Sequence, residues 1–175
     1  ILSGGDPLAL STRKLIELTD GLADLPQVTR LRLHTRLPVV LPDRIDGPLV
    51  EWLSALPLQK VVVLHANHAR EIDHGVAEAC QRLRGAGCTL LNQAVLLRGI
   101  NDRSRTLAEL SEALFAIGVL PYYLHQLDRV QGAAHFEVDD AEALALMEEL
   151  RGCLPGYLVP RLVREVPGAP SKLPL

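Results

Sequence analysis

The sequence predicts an α/β fold built from parallel strands and intervening helices. Apolar runs of strand length recur roughly every 30 residues, and an amphipathic helical pattern separates each run from the next. A closed barrel of eight such units needs about 250 residues, whereas this chain has 175, so a partial (β/α) barrel is expected. No Gly-x-Gly-x-x-Gly motif follows a predicted strand, which argues against a dinucleotide-binding fold. No linker interrupts the pattern, so residues 1–175 are interpreted as a single domain.

The strands are predicted from apolar runs and from alternation of apolar and polar residues. They are expected at residues 1–3, 28–34, 60–65, 89–97, 119–125 and 157–166. The run from Val61 to Leu64 has the continuous apolar character of a strand buried on both faces. Residues 1–3 resemble the end of a strand, so we expect the beginning of that N-terminal strand to lie upstream.

The helices are predicted from apolar residues spaced three or four apart. They are expected at residues 11–25, 44–56, 71–86, 104–117 and 139–150. Ser11 is suited to cap the first helix at its N-terminus. Gly87, Gly118 and Gly152 follow later helical patterns, where the left-handed conformation of glycine commonly ends a helix.

The composition argues against several functional classes. A net charge of −3 and a pI near 6.1 disfavour a nucleic-acid partner, because phosphate backbones are bound by an excess of basic residues. No apolar run reaches the ~18 residues of a membrane-spanning helix, so no membrane partner is expected. Cys80, Cys88 and Cys153 form neither a disulfide framework nor a zinc-ligand pattern. They are interpreted as reduced thiols of a cytoplasmic protein.

Polar residues gather at or just beyond the carboxyl ends of the predicted strands. They occupy positions 3–6, 34–36, 65–67, 92–93, 125–128 and 165. In parallel α/β folds this edge of the sheet builds the active site. Because unpaired polar groups are costly to bury, a large polar ligand at this edge would satisfy them.

These residues suggest particular chemistry, although each also has a structural interpretation. Lys172 follows a segment rich in proline and glycine, and a lysine held on a loop can bind an aldehyde cofactor covalently. It could also be a solvated tail residue. Asp128 and Glu165 could hold a substrate ammonium, or they could be ordinary surface acids. Asp6 could receive an ammonium, or it could cap the turn made by Gly4 and Gly5.

Distinct sequence blocks are spread along the whole chain. They read SGGDPL at 3–8, TRLPVVLP at 35–42, HANHAREI at 65–72, NQAVLLRGIND at 92–102, YYLHQLD at 122–128 and EVPGAPSK at 165–172. Together they resemble the lysine 2,3-aminomutase family of radical S-adenosylmethionine enzymes. The resemblance is closest to members that make β-lysine for the modification of elongation factor P. It implies a partial barrel of the radical S-adenosylmethionine type and isomerisation of L-lysine to β-lysine by radical 1,2-amino migration.

The resemblance also implies roles for individual residues. S-adenosylmethionine would be bound by Ser3, Gly4, Gly5, Asp6, His65 and Gln93. Pyridoxal phosphate would be carried by Lys172, and the substrate L-lysine would be held by Asp128 and Glu165. A [4Fe-4S] cluster completes the cofactor set, but the family motif Cys-x3-Cys-x2-Cys is absent from this sequence. We therefore expect that the chain is the C-terminal portion of a longer enzyme, that it contributes no metal ligand and that it is inactive alone.

Two departures from the family pattern fall at the loop before Lys172 and at Glu165, and two other functions stay open. Ala169, Pro170 and Ser171 stand where the family has glycines, and Glu165 stands where it typically has aspartate. An aminomutase for another amino acid, such as glutamate, is one alternative, although two acids would repel an anionic side chain. A non-catalytic binding domain on the same scaffold is another, since fold alone does not establish chemistry.

Overall fold

Six strands form one sheet in the order β1-β2-β3-β4-β5-β6. The computed structural model describes residues 1–23, 25–128, 131–169 and 171–175. The strands are β1 Arg30–Thr35, β2 Gln59–His65, β3 Cys88–Val95, β4 Leu120–His125, β5 Arg161–Arg164 and β6 Leu173–Pro174. β1 pairs with β2 and β4 pairs with β5 in parallel, whereas β6 is antiparallel to β5. β1 and β6 lie at opposite ends of this order, so within the described ranges the sheet is open and the predicted fold class is confirmed.

Helices separate the successive strands up to β5 as predicted, whereas the short helix at 37–40 was missed. They are α1 Thr12–Ala23, α2 Leu37–Val40, α3 Gly47–Ala55, α4 His74–Gly85, α5 Ser104–Ala116 and α6 Asp140–Cys153. The hydroxyl of Ser11 accepts a hydrogen bond from the backbone N–H of Lys14 at 3.4 Å, which confirms it as a cap of α1. No helix in the described ranges is long and apolar enough to cross a bilayer.

Helix ends differ from the sequence prediction where side chains cap them. Asp46 and Asp73 each accept a hydrogen bond at 2.9 Å from the backbone N–H three residues later, so α3 and α4 begin immediately after these caps. The predicted end of the last helix at residue 150, with Gly152 as its cap, is wrong, because α6 continues to Cys153 and Leu154 follows it as the C-cap. Pro155 follows shortly afterwards and disfavours helical backbone at the residue before it.

The last predicted strand, 157–166, is wrong at both ends. Gly156–Leu158 forms a 3-10 turn, and the strand itself is only Arg161–Arg164. Pro160 explains the late start, since proline has no N–H to donate to a sheet. The sequence pattern also missed β6, a two-residue edge strand that contains a proline, which edge strands tolerate.

The chain divides into two compact units. Unit 1 comprises Ile1–His65, Ile72–Leu91 and Ile117–Val119, and unit 2 comprises Ala66–Glu71, Asn92–Ala116 and Leu120–Leu175. The interpretation of residues 1–175 as a single domain stays a prediction.

In unit 1, strand alternation separates a core face from a polar face. The core face carries Leu31, Leu33, Val62 and Leu64, each at most 4% exposed, while Val63, which is also buried, lies on the other face beside His34. Because side chains alternate along a strand, Arg32, His34 and His65 project from the opposite face. Leu2 adds a single parallel bridge to β1 by pairing with Leu33, as expected for residues 1–3 behaving as the end of a strand.

In unit 2, α5 and α6 pack together around an apolar core. The buried residues of the two helices include Leu107, Leu110, Leu114, Leu146, Met147 and Leu150. On β4 and β5, the register pair Leu124 and Leu162 is also buried. Alternation therefore places Tyr123 and His125 on the other face of β4, where the candidate site lies.

Candidate active site

The glycine turn after residue 3 leaves open space around its backbone. Gly5 has φ +63°, a conformation that favours glycine. A Cβ atom built on Gly4 or Gly5 would meet no heavy atom within 4 Å, and Ser3 is exposed like both glycines. This exposed backbone fits the close approach of a ligand, as the sequence predicts.

Asp6 links this turn to the carboxyl end of β1 through hydrogen bonds. Its Oδ1 accepts hydrogen bonds from Leu8 N at 3.0 Å and from Thr35 Oγ1 at 2.7 Å. Its Oδ2 accepts one from Arg36 N at 2.7 Å. A carboxylate has about four acceptor sites, so these three bonds leave room for one further donor. The capping interpretation of Asp6 is thus confirmed, and its contact with an ammonium stays a prediction.

His65 is the last residue of β2 and lies beside His34 of β1. The two ring centroids are 6.3 Å apart in an edge-to-face arrangement. Both side chains are half-buried on the polar face of unit 1. The sequence analysis placed His34 among the polar strand ends without assigning it a role, so this neighbour of His65 was missed.

Gln93 lies on β3 next to a buried asparagine. Asn92 is 2% exposed, and its side chain bonds both the N–H and the C=O of Ala66, at 2.9 and 3.0 Å. Because neighbouring side chains on a strand face opposite ways, Gln93 projects from the other side of β3. The predicted approach of Gln93 to the same ligand as His65 stays a prediction.

Two further side chains hold the loop after β2. Asn101 accepts a hydrogen bond from Leu97 N at 2.8 Å and donates to the carbonyls of Asn67 and Val95, both at 2.9 Å. Glu71 accepts from the N–H groups of Asn67 and His68 at 2.7 and 2.8 Å. Sequence reasoning missed this network, although asparagine after a strand is typical of side chains that bond loop backbone.

Lys172 lies in a cluster of polar groups at the carboxyl ends of β4 and β5. Its ammonium donates a hydrogen bond to Glu165, which directly follows β5. The Nζ atom is 3.4 Å from Nε2 of His125, the last residue of β4, and 5.7 Å from the ring centroid of Tyr123. The Lys172 side chain is 26% exposed, so the solvated-tail alternative is wrong. Pro170, part of the preceding loop, lies outside the described residues.

Asp128 and Glu165 line one pocket of unit 2. This pocket has a volume of about 620 Å³, and its wall comprises Leu127, Asp128, Glu137, Arg164, Glu165, Val166 and Pro167. The arrangement brings the two predicted substrate-binding acids to a common cavity. This volume is larger than an amino acid needs.

Arg164 is the cation among the described residues of this pocket wall, and its charge is paired. The guanidinium binds both carboxylate oxygens of Asp140, and this partner raises the pKa of Arg164. Gln126, which is 3% exposed, donates to the same carboxylate at 3.0 Å. The wall thus offers carboxylates alongside a guanidinium that is ion-paired, an arrangement that favours a cationic ligand group.

The cysteines do not form a metal site in the described part of the chain. Cys80 and Cys88 are buried, whereas Cys153 is exposed at the end of α6. Burial raises the pKa of Cys80 to about 12 and that of Cys88 to about 11. Among the described residues, no group of three or more His, Cys, Asp or Glu side chains is placed to hold a metal ion.

Comparison with known proteins identifies relatives along the whole chain. The chain is 54% identical over 175 residues to the L-lysine 2,3-aminomutase of Escherichia coli, covering 100% of this chain and 51% of that protein. It is 40% identical over 176 residues to the L-lysine 2,3-aminomutase of Clostridium subterminale, covering 42% of that protein. Over its whole length, the chain is thus similar in sequence to these two L-lysine 2,3-aminomutases. It spans about half the length of these relatives, and no protein-family model matches it.

Solved structures support the fold. A radical SAM methyltransferase from Sphaerobacter thermophilus matches with a TM-score of 0.53 at 17% identity, over 76% of this chain and 40% of that one. A domain of the pyruvate-formate lyase-activating enzyme from Bacteroides vulgatus matches with a TM-score of 0.61 at 11% identity, over 94% of this chain and 97% of that domain. The α/β sheet of this chain is thus similar in fold to the matched parts of these two proteins.

Proposed function

We propose that the full-length protein containing this chain isomerises L-lysine to β-lysine by radical 1,2-amino migration. The observation that carries the proposal is the position of Lys172. Its amine lies at the carboxyl ends of β4 and β5, against Glu165, which also lines the pocket of Asp128. The 54% identity to an L-lysine 2,3-aminomutase supports the same assignment.

Residues of unit 1 are proposed to hold S-adenosylmethionine. The exposed backbone of Ser3, Gly4 and Gly5 fits a ligand that approaches closely, and Asp6 fixes the turn that presents it. His65 and, from unit 2, Gln93 are assigned to the same cofactor by the resemblance. When bound with a reduced [4Fe-4S] cluster, S-adenosylmethionine supplies the radical that removes a substrate hydrogen. The cluster ligands are proposed to lie outside residues 1–175.

Lys172 is proposed to hold pyridoxal phosphate. A partly enclosed primary amine beside an imidazole is the donor set that an aldehyde cofactor needs, so the residues present fit the group. When bound, the cofactor supplies the conjugated system through which the amino group migrates. The protein contributes a fixed amine and an enclosed position for the cofactor.

Asp128 and Glu165 are proposed to bind the ε-ammonium of L-lysine. Each carboxylate can accept a charge-assisted hydrogen bond from it. Because Arg164 is paired with Asp140, its guanidinium competes less with the substrate ammonium for Asp128 and Glu165. A glutamate side chain in the same pocket would meet like charges, which disfavours the alternative substrate.

The product is further proposed to serve the modification of elongation factor P in the cytoplasm, which the resemblance supports. Residues 1–175 alone are proposed to be inactive, because the Cys-x3-Cys-x2-Cys motif is absent from them.

The test is amino acid turnover by the full-length protein under anaerobic conditions, with its cluster reconstituted and both organic cofactors added. L-lysine is expected to give β-lysine, whereas L-glutamate is expected to give no β-amino acid. Faster conversion of glutamate would move the assignment to another aminomutase. If protein with a loaded cluster converts no amino acid, the result would favour the alternative of a non-catalytic binding domain.

A further inference from the structure

His125 occupies a position from which it can reach both charged partners in the Lys172 cluster. Its Nε2 lies 3.4 Å from Lys172 Nζ, and its Nδ1 lies 3.9 Å from Glu165 Oε1. The side chain is 12% exposed, and its ring packs edge-to-face on Tyr123 with centroids 5.7 Å apart. The imidazole is therefore held beside both the amine and the carboxylate, which contact each other directly.

We infer that His125 is a positioning residue that accepts the proton of the Lys172 ammonium and so prepares the amine to react with an aldehyde. The inference rests on the proposed role of Lys172 and extends it. An amine attacks a carbonyl only through its free lone pair, and a lysine ammonium has none. A proton acceptor beside the amine removes this obstacle.

The proposed step transfers one proton and leaves the net charge unchanged. The Nζ–H bond of the Lys172 ammonium breaks, and an N–H bond forms at Nε2 of neutral His125. The products are a neutral amine and an imidazolium, whose Nδ1–H faces the carboxylate of Glu165. Glu165 is thus near the positive charge before and after the transfer, which lowers the cost of moving it.

The surroundings of His125 suit a proton acceptor that works near neutral pH. In the described part of the structure, the titratable groups that contact it include Tyr123 on its own strand, Glu165 after β5 and Lys172 before β6. Histidine is the side chain whose ordinary titration range covers this pH. Its backbone is fixed as well, since its carbonyl accepts a hydrogen bond from Leu96 N at 2.8 Å.

The test measures the rate at which pyridoxal phosphate becomes attached to the full-length protein between pH 6 and pH 10. Borohydride stops the reaction, and peptide mass spectrometry quantifies the reduced adduct on Lys172. At pH 7, His125→Gln is expected to slow attachment by about a hundredfold or more, within the range typical of general acid–base groups. The deficit is expected to shrink as the pH approaches about 10, where solvent deprotonates lysine directly. Added imidazole is expected to restore attachment to His125→Ala.

Matched variants separate this inference from the proposed function. His74→Gln changes an exposed histidine of α4 and is expected to behave as wild type. An adduct that persists in Lys172→Ala would show that Lys172 does not carry the cofactor. It would therefore overturn the inferred role of His125 as well. If Lys172→Ala loses the adduct while His125→Gln keeps the wild-type rate at pH 7, only the present inference is overturned. A loss of rate that is uniform at every pH, without rescue by imidazole, would also overturn it, because it indicates a purely structural contact.

Discussion

The Lys172 ammonium donates a hydrogen bond to the carboxylate of Glu165, seven residues earlier in the chain. The backbone between them turns at Gly168, whose φ of +84° favours glycine. The proposed cofactor lysine and one proposed substrate-binding acid therefore contact each other directly. When Lys172 carries the cofactor, the carboxylate of Glu165 gains freedom to accept the substrate ammonium.

The two pocket acids are expected to determine substrate choice. Asp128→Asn keeps the shape of the side chain and removes its charge, so it weakens a bond to the ε-ammonium worth about 1.5–3 kcal/mol. The expected result is a fall in kcat/KM for L-lysine of about tenfold to a hundredfold. The double change with Glu165→Gln should be worse but not additive, because both acids act on one ammonium. Steady-state turnover in the reconstituted full-length protein measures this.

Pyridoxal phosphate content is the control for that series. Asp128→Asn should keep wild-type loading, because Asp128 is assigned to the substrate alone. Unchanged lysine turnover in the double variant would refute the lysine pocket.

Lys172 is expected to be the attachment point of pyridoxal phosphate. Lys172→Ala removes the amine and should abolish the adduct that borohydride traps, as quantified by peptide mass spectrometry. Lys14→Ala, at an exposed position of α1, is the matched control and should retain full loading. A trapped adduct at any other lysine in the Lys172→Ala protein would show that the wrong residue was chosen.

The sequence predicted the fold well where the elements are long and periodic. The strand centred on Val62 and the helix now seen as α5 both follow from apolar spacing, because burial determines that spacing directly. The failures lie where a proline or a tertiary contact overrides the apolar spacing. Pro160 delays β5, and Leu173–Pro174 pairs as an edge strand through tertiary contact that no local pattern indicates.

For the candidate site, the sequence predicted only which polar residues stand at the ends of strands. Asp128 and Glu165 could be chosen in this way, and the pocket brings them together. The contact between His125 and Lys172 joins residues 47 positions apart in the sequence, so spacing alone could not reveal it. Asp6 was ambiguous for a related reason, because a carboxylate that caps a turn has the same local sequence as one that binds a ligand.

The three bonds of Asp6 are expected to stabilise unit 1. Asp6→Ala leaves Thr35 Oγ1 and two backbone N–H groups without their acceptor, so the free energy of unfolding should fall by about 2–4 kcal/mol. Asp6→Asn should cost less, since its amide oxygen can still accept from some of these donors. Urea denaturation measures both. Equal stability of Asp6→Ala and wild type would mean that water replaces these bonds fully.

The buried thiols are expected to resist alkylation. Burial raises the pKa of Cys80 to about 12 and that of Cys88 to about 11, so both stay protonated at pH 8, and the thiolate is the reactive form. Exposed Cys153 should react in the native protein, and Cys153→Ser should remove that labelled peptide. Above pH ~8.5 the unfolded chain loses these thiol protons while the folded chain keeps them, so stability should fall as the pH rises towards 11. Native labelling of Cys80 as fast as of Cys153 would contradict the assigned burial.

Asn101 is expected to hold the loop after β2 in place. Its side chain is 1% exposed and makes three hydrogen bonds, to Leu97 N and to the carbonyls of Asn67 and Val95. Asn101→Ala leaves these partly buried backbone groups without their partner, so the free energy of unfolding should fall by about 2–4 kcal/mol. Hydrogen exchange should quicken at residues 66–71, whereas Arg103→Ala, at an exposed position nearby, should leave exchange there unchanged. If residues 66–71 of the Asn101→Ala variant exchange hydrogen as slowly as in the wild type, Asn92 and Glu71 hold the loop without help from Asn101.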